Sequence, residues 1–491
     1  MKISITSLVS LTLLLSAAAL TGCGGSGSST ASVQHEWAWV GGSQNLNAAG
    51  SYGMQNAAAA TNSPGARSGS AFWTDAQGNF WLFGGIGYDA NKTLGGLNDL
   101  WKYSGGQWTW VTGSNTSPGP ATPSPTADIY GNVGAQGIYG AMGVAAAANT
   151  PGARSGTQRW IDAQGNLWLF GGYGTDAVGN WTLLNDLWKF SPSSGQWTWM
   201  GGPSTAPATP KGVYGTMGVA AAANMPGPRG GAACWTDAQG NLWLFGGLGY
   251  DVSGTNSYLN DLWKYSGGQW TWMGGSMSTN AAANYGQQGT ASASATPGAR
   301  AGMLFWRDSK GNLWLYGGGS YANSAQTQFN NWADLWMFSP SSGQWMWLGG
   351  SSQPNQTANF GQMGVTAAGN TPGSREDSAT WIDASGNLWL FGGIVSASGG
   401  DSLTMYPDLW EYSSGQWTWV GGSNSLNTVA YGKQGIAEAT NLPPIRAYAA
   451  TWIDGSGHLI LLGGQVPGAS AGPDLLPLPN TALNDLWEYT P

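Results

Sequence analysis

Residues 154 to 202 read RSGTQRWIDAQGNLWLFGG, a variable loop, then LNDLWKFSPSSGQWTWMGG, and the same text returns five more times. The opening Arg stands at Arg67, Arg154, Arg229, Arg300, Arg375 and Arg446, with spacings of 87, 75, 71, 75 and 71. So regular a period restricts the chain to repeat architectures, in which each unit buries its faces against its neighbours. Each unit carries four short strand-like segments. RWIDA turns through DAQGN into NLWLFGG, and DLWKF turns through a Gly/Ser/Pro stretch into QWTWMGG. The second segment is apolar on both faces, with Trp168 and Phe170 against Leu167 and Leu169. Such a strand must be covered on both sides. Radially stacked four-stranded sheets satisfy this, which predicts an all-β propeller.

The two ends of the chain complete each other. The last unit stops at LNDLWEYTP, without a fourth strand, and the missing text stands at the other end as HEWAWVGG, His35 to Gly42. The N-terminal strand is therefore expected to complete the last blade and shut a ring of six, which also hides the edges of an open array.

The double Gly after an apolar strand, the aromatic in the third strand and the Trp in the fourth resemble the kelch repeat, over residues 35 to 491. That resemblance implies a six-bladed kelch-type propeller related to the central domain of galactose oxidase. It implies little about function, since propellers host unrelated activities. A galactose-oxidase-type copper centre needs two His, two Tyr and a modified Cys. His35 and His458 are the only His residues, one on the closing strand and one at a hairpin turn. No cofactor or metal is expected. Some six-bladed kelch proteins of the bacterial periplasm act as sialic acid mutarotases. By that resemblance, a sugar-ring-opening site here would use Glu376 as acid/base, helped by Arg375 and Tyr448.

Residues 1–22 read as a secretory signal, with one Lys, an apolar run and small residues. LTGC resembles the bacterial lipobox, which makes Cys23 the lipidated first residue of the mature chain, with residues 23–34 as a flexible tether. The expected location is the cell envelope, at the outer membrane or cell surface, with membrane contact only through the anchor. Cys234 has no disulfide partner, and the matching positions Phe72, Arg159, Phe305, Thr380 and Thr451 suggest a tolerant packing slot. Charged residues are 8% of the chain and the net charge is −8, which argues against a nucleic-acid partner.

Several sets of residues are candidates for chemistry. The six Arg residues opening the first strand face six Asp residues opening the third: Asp99, Asp186, Asp261, Asp334, Asp408 and Asp485. An ion pair across the Gly pair is expected in each blade. A second set, Asp75, Asp162, Asp237, Asp308, Asp383 and Asp454, reads as turn stabilisation. Asp89, Asp176 and Asp251 recur in the loops between strands two and three, as Ca²⁺ ligands or turn formers.

Breaks in the repetition are more informative. After the Arg, five blades carry Ser, Gly or Ala, but the fifth has Glu376; the next position is Gly in four blades, Asp377 in the fifth and Tyr448 in the sixth. These three are expected at the channel mouth as binding residues. The variable connections emerge on that face, and the one between blades, which begins YGMQNAAAATNSPGAR at Tyr52, reads as an ordered cap. The leading expectation is a monomeric binding protein that presents this face to a glycan or protein. The rival is the mutarotase-like enzyme.

Overall fold

The computed structural model describes residues 35–120, 132–321, 328–396, 403–425, 429–466 and 481–491. The signal segment, Cys23, the tether and part of the Pro-rich insert between the first two blades lie outside them.

The second blade shows the plan. Strands Gln158–Ile161, Leu167–Thr175, Trp181–Ser191 and Gln196–Gly201 form one antiparallel sheet in chain order. A two-residue strand, Arg154–Ser155, precedes them and pairs with Gly174 and Tyr173 at the far end of the second strand. The register between strands two and three shifts between Phe170 and Gly172. Gly is required there: Gly172 has φ +90°, and a Cβ on it would stand 2.6 Å from the Ser155 carbonyl oxygen. In the fourth and fifth blades the far half becomes a separate hairpin, Gly319–Tyr321 with Phe329–Asn331 and Ile394–Ser396 with Leu403–Met405.

Six such sheets make a six-bladed β-propeller, and no helix occurs among the described residues. The alternation read in the second strand sets the packing. Leu167 and Leu169 face the first blade, beside Trp81 and Phe83. Trp168 and Phe170 face the third, beside Leu244 and Trp263. One apolar seam lies between every successive pair of blades, including the last and the first, where Trp452 stacks on Phe80 at 3.6 Å.

Closure follows the sequence expectation. Glu36–Gly41 pairs antiparallel with Ala482–Thr490, setting Trp37 opposite Tyr489 and Trp39 opposite Trp487. The innermost strands also touch in a closed circuit, the sixth meeting the first.

The repeated connection between blades differs from its expected place. It is ordered, but it lies along the outer edge of the blade it leads into, not over the channel. Ala59 bridges to Trp108, Ala146 to Trp197 and Ala221 to Trp270. Asn62 Nδ2 donates to the Trp108 carbonyl at 3.1 Å. The physical reason is the free edge of each outermost strand, whose unpaired carbonyls this segment satisfies.

Candidate functional site at the channel ring

The six Arg residues are buried, and each is paired with its Asp. Arg67 is typical. Its Nη1 and Nη2 donate to Asp99 Oδ1 and Oδ2, both at 2.7 Å, and Nη1 also reaches the Gly84 carbonyl of the Gly pair at 3.1 Å. Asp99 Oδ2 accepts two further bonds, from the Tyr52 hydroxyl at 2.6 Å and Trp101 Nε1 at 2.7 Å. So the repeated Tyr of each connection is an anchor into the ion pair. Burial, then the Asp99 charge, push the Tyr52 hydroxyl far above its ordinary pKa. In the fifth blade Phe360 replaces that Tyr and supplies no hydroxyl, while Arg375 still holds Asp408 through two bonds of 2.9 Å. These guanidinium groups are committed to structure, Arg375 included.

Two residues after each Arg, the inner strand turns into the left-handed region. Gly69, Gly156, Gly231, Gly302, Asp377 and Tyr448 have φ between 53° and 66°. Their backbones bond to one another around the channel. Gly156 N–H donates to Gly69 O, Gly231 to Gly156, Gly302 to Gly231, Asp377 to Gly302, Tyr448 to Asp377 and Gly69 to Tyr448, at 2.8–3.1 Å. This closed circle narrows the channel. It is the floor of a chamber on the loop-rich face, walled by Ser155, Tyr173, Leu183 and Leu248. It is also the roof of a second chamber inside the channel, walled by Phe72, Arg159, Phe305 and Thr380.

Asp377 and Tyr448 line both chambers. A Cβ on Gly302 would stand 2.7 Å from Asp377 Oδ2, so the carboxylate hangs over the ring at its neighbour. Burial pushes Asp377 up to about 7, and the Tyr448 hydroxyl pulls it back a little.

Glu376 does not reach the channel mouth, contrary to the sequence expectation. It is 0% exposed and lines neither of these chambers. Its backbone pairs with Ile394, and a Cβ on Gly319 of the fourth blade would meet Glu376 Oε2 at 2.5 Å. Burial first, and the Asp377 charge second, hold its carboxyl well above the usual range; the Asn331 amide opposes them. The backbone explains the difference: the bridge to Ile394 holds residue 376 beside the fourth blade, and the left-handed turn at residue 377 directs its side chain over the ring.

The remaining Asp residues organise turns. Asp75 Oδ1 accepts from the Gln77 and Asn79 amides, and Oδ2 from Asn79 Nδ2 and Trp81 Nε1. Asp89 accepts from the Asn91, Thr93 and Ser117 amides. One variation escaped the sequence reading. In the sixth blade His458 replaces that Asn, Ile460 the Trp, and Glu488 the Lys found in the first three blades. His458 Nδ1 then lies 3.0 Å from Asp454 Oδ2 and 3.2 Å from Glu488 Oε1, a partly exposed cluster with ligand-like spacing.

No protein-family model matches the chain, and no curated protein does. Among solved structures the chain is similar to the one reported as "Structure of YjhT", with 13% identity over 86% of this chain and 95% of that one and a TM-score of 0.44. By its own sheet order and ring closure, independently of that likeness, the chain is a six-bladed β-propeller.

Proposed function

We propose that the mature chain is a kelch-type, lipid-anchored envelope protein that binds a glycan in the chamber on its loop-rich face, with Asp377 and Tyr448 as the polar contacts. The observation that carries this reading is their backbone conformation. Four of six ring positions are Gly, which turns left-handed without strain; an Asp and a Tyr there each cost about 1–2 kcal/mol. Strain retained at two neighbouring positions, both turned towards a chamber, is a sign of use. A carboxylate accepts from paired sugar hydroxyls, and a phenol adds a ring face and a hydroxyl.

The test is a glycan array followed by calorimetry with Asp377→Gly and Tyr448→Gly. Both changes copy the residue of the other four blades, so the ring keeps its geometry. Loss of glycan binding with an unchanged or raised melting temperature supports the reading. Unaltered binding by the double variant overturns it, and capture of a protein but no glycan moves the partner to the other class. Anchoring is tested separately, by palmitate labelling that disappears in Cys23→Ser.

A second reading, proton transfer during sugar-ring opening, is favoured by the placement of the Asp377 carboxyl over the ring beside Tyr448, where burial pushes it up to about 7. In it the acid/base is Asp377, because Glu376 is buried and Arg375 is tied to Asp408. Anomerisation followed by NMR separates the two: a rate lost in Asp377→Asn supports catalysis, and no rate on any sugar bound leaves the binder.

A further inference from the structure

The chain has eight Arg residues. Six are paired with Asp, and Arg307 Nε donates to the Thr236 carbonyl. Arg159 is different. Its guanidinium stands inside the channel below the ring and makes no ion pair or hydrogen bond with a described residue. Its Cζ stands over the Phe72 ring, 3.5 Å from the centroid, and 5.9 Å from the centroid of Phe305. No described residue accepts a hydrogen bond from its five N–H donors.

The surroundings are unusual for a lone cation. Burial lowers the Arg159 pKa, and the only opposing influence is the Cys234 thiol. Asp377, which lines the same chamber, is not among the groups that act on it. Thr157, just before that strand, also lines the chamber, but its Oγ1 is itself buried away from the chamber surface. The chamber holds about 120 Å³, against the ~30 Å³ share of one water in the liquid. A donor-rich cation without an ion-pair partner among the described residues, set between aromatic side walls, is complementary to a planar oxyanion.

We propose that this inner chamber binds a small carboxylate, held by the Arg159 guanidinium through paired N–H···O bonds, with Phe72 and Phe305 flanking it. The inference does not depend on the glycan reading, which concerns the chamber on the other side of the ring. A carboxylate can arrive as a free monocarboxylate or as the acid group of a sugar acid, and both present the same planar group.

The experiment is calorimetry and ligand-observed NMR on the mature chain with acetate, D-glucuronate and, as the neutral control, D-glucose. The key variant is Arg159→Thr, since the fifth and sixth blades carry Thr380 and Thr451 at this position. The fold thus tolerates the change, and an unaltered melting temperature confirms it. Wild type is expected to bind at least one carboxylate, with the affinity falling about tenfold or more in Arg159→Thr and partly kept in Arg159→Lys. Glucuronate alone binding identifies a sugar acid, and acetate binding equally well identifies a free monocarboxylate. No carboxylate bound at about 10 mM, a free energy near −2.7 kcal/mol, or equal binding by Arg159→Thr, overturns the proposal.

Discussion

The Gly69 amide, in the first blade, donates to the Tyr448 carbonyl, in the last, at 3.1 Å. The ring is therefore shut twice: at its centre by this bond, and at its rim by the N-terminal strand on Ala482–Thr490. The two closures make a terminal residue as structural as an interior one. Trp37, on the closing strand, is buried against Phe391 and Tyr489. It occupies the slot that Trp270 fills in the third blade. Trp37→Ala should then cost about 3–5 kcal/mol, the same as Trp270→Ala. Urea unfolding of the two variants checks it, and a harmless Trp37→Ala would mean that the N-terminal strand does not close the ring.

Asp261 accepts from Arg229 Nη1 and Nη2, the Tyr214 hydroxyl and Trp263 Nε1, all within 2.7 Å. Removing the carboxylate strands four donors and a buried cation. Asp261→Ala is expected to lose at least about 3–5 kcal/mol. Arg229→Met/Asp261→Leu should recover only part of that, because the Tyr and Trp donors remain without an acceptor. Full recovery in the double variant would show that the aromatic bonds contribute nothing.

The fifth blade offers the reverse experiment. Phe360 packs against Trp410 and Trp419 at 5.3 and 5.1 Å, much as Tyr52 packs on Trp101 and Trp110 at 4.7 and 5.3 Å. Phe360→Tyr should place its hydroxyl on Asp408 and stabilise the protein by about 0.5–1.5 kcal/mol. A fall in melting temperature would show that the Asp408 site has no room for the added oxygen.

These relationships were legible because the chain states them six times. The Arg and Asp sets, the two-faced second strand and the split terminal blade all follow from periodicity and pattern, and the structure repeats them blade by blade. What escaped depended on which way one side chain points. Glu376 and Asp377 are adjacent and equally unusual in the text, yet a bridge to Ile394 holds one in a seam and a left-handed turn sends the other over the channel. Arg159 occupies a slot filled elsewhere by Phe, Cys or Thr, so it read as packing. Only the assembled channel reveals that no carboxylate of a described residue pairs with it. The Asp454, His458 and Glu488 cluster did leave a signal, in His458 and Ile460, two replacements found in no other blade, but its members are 34 residues apart in sequence at the extremes. Register alone brings His458 and Glu488 together.

The Asp377 carboxyl gives the ring a pH dependence whose sign is fixed. Its pKa rises from the ordinary 3.8 to about 7 in the folded protein, through burial. Between those values the folded state keeps a proton that the unfolded chain releases. The folded state binds more protons there, so stability falls as pH rises through that window and levels off above it. Glu376 is displaced in the same direction, by burial and by the Asp377 charge, which adds to the fall. Asp377→Asn removes one titration and relieves the other, so its urea midpoint should decline less between pH 4 and 7 and exceed that of wild type at pH 8. The acid limb has another origin. Asp75 is held below its ordinary value: burial raises it, but the bonds from Trp81, Asn79 and Gln77 outweigh that, so its contribution is lost as pH falls. That limb should be the same in both proteins. Midpoints from pH 3 to 8 test both statements, and parallel curves above pH 4 would show that the carboxylate over the ring is ionised at no cost to the fold.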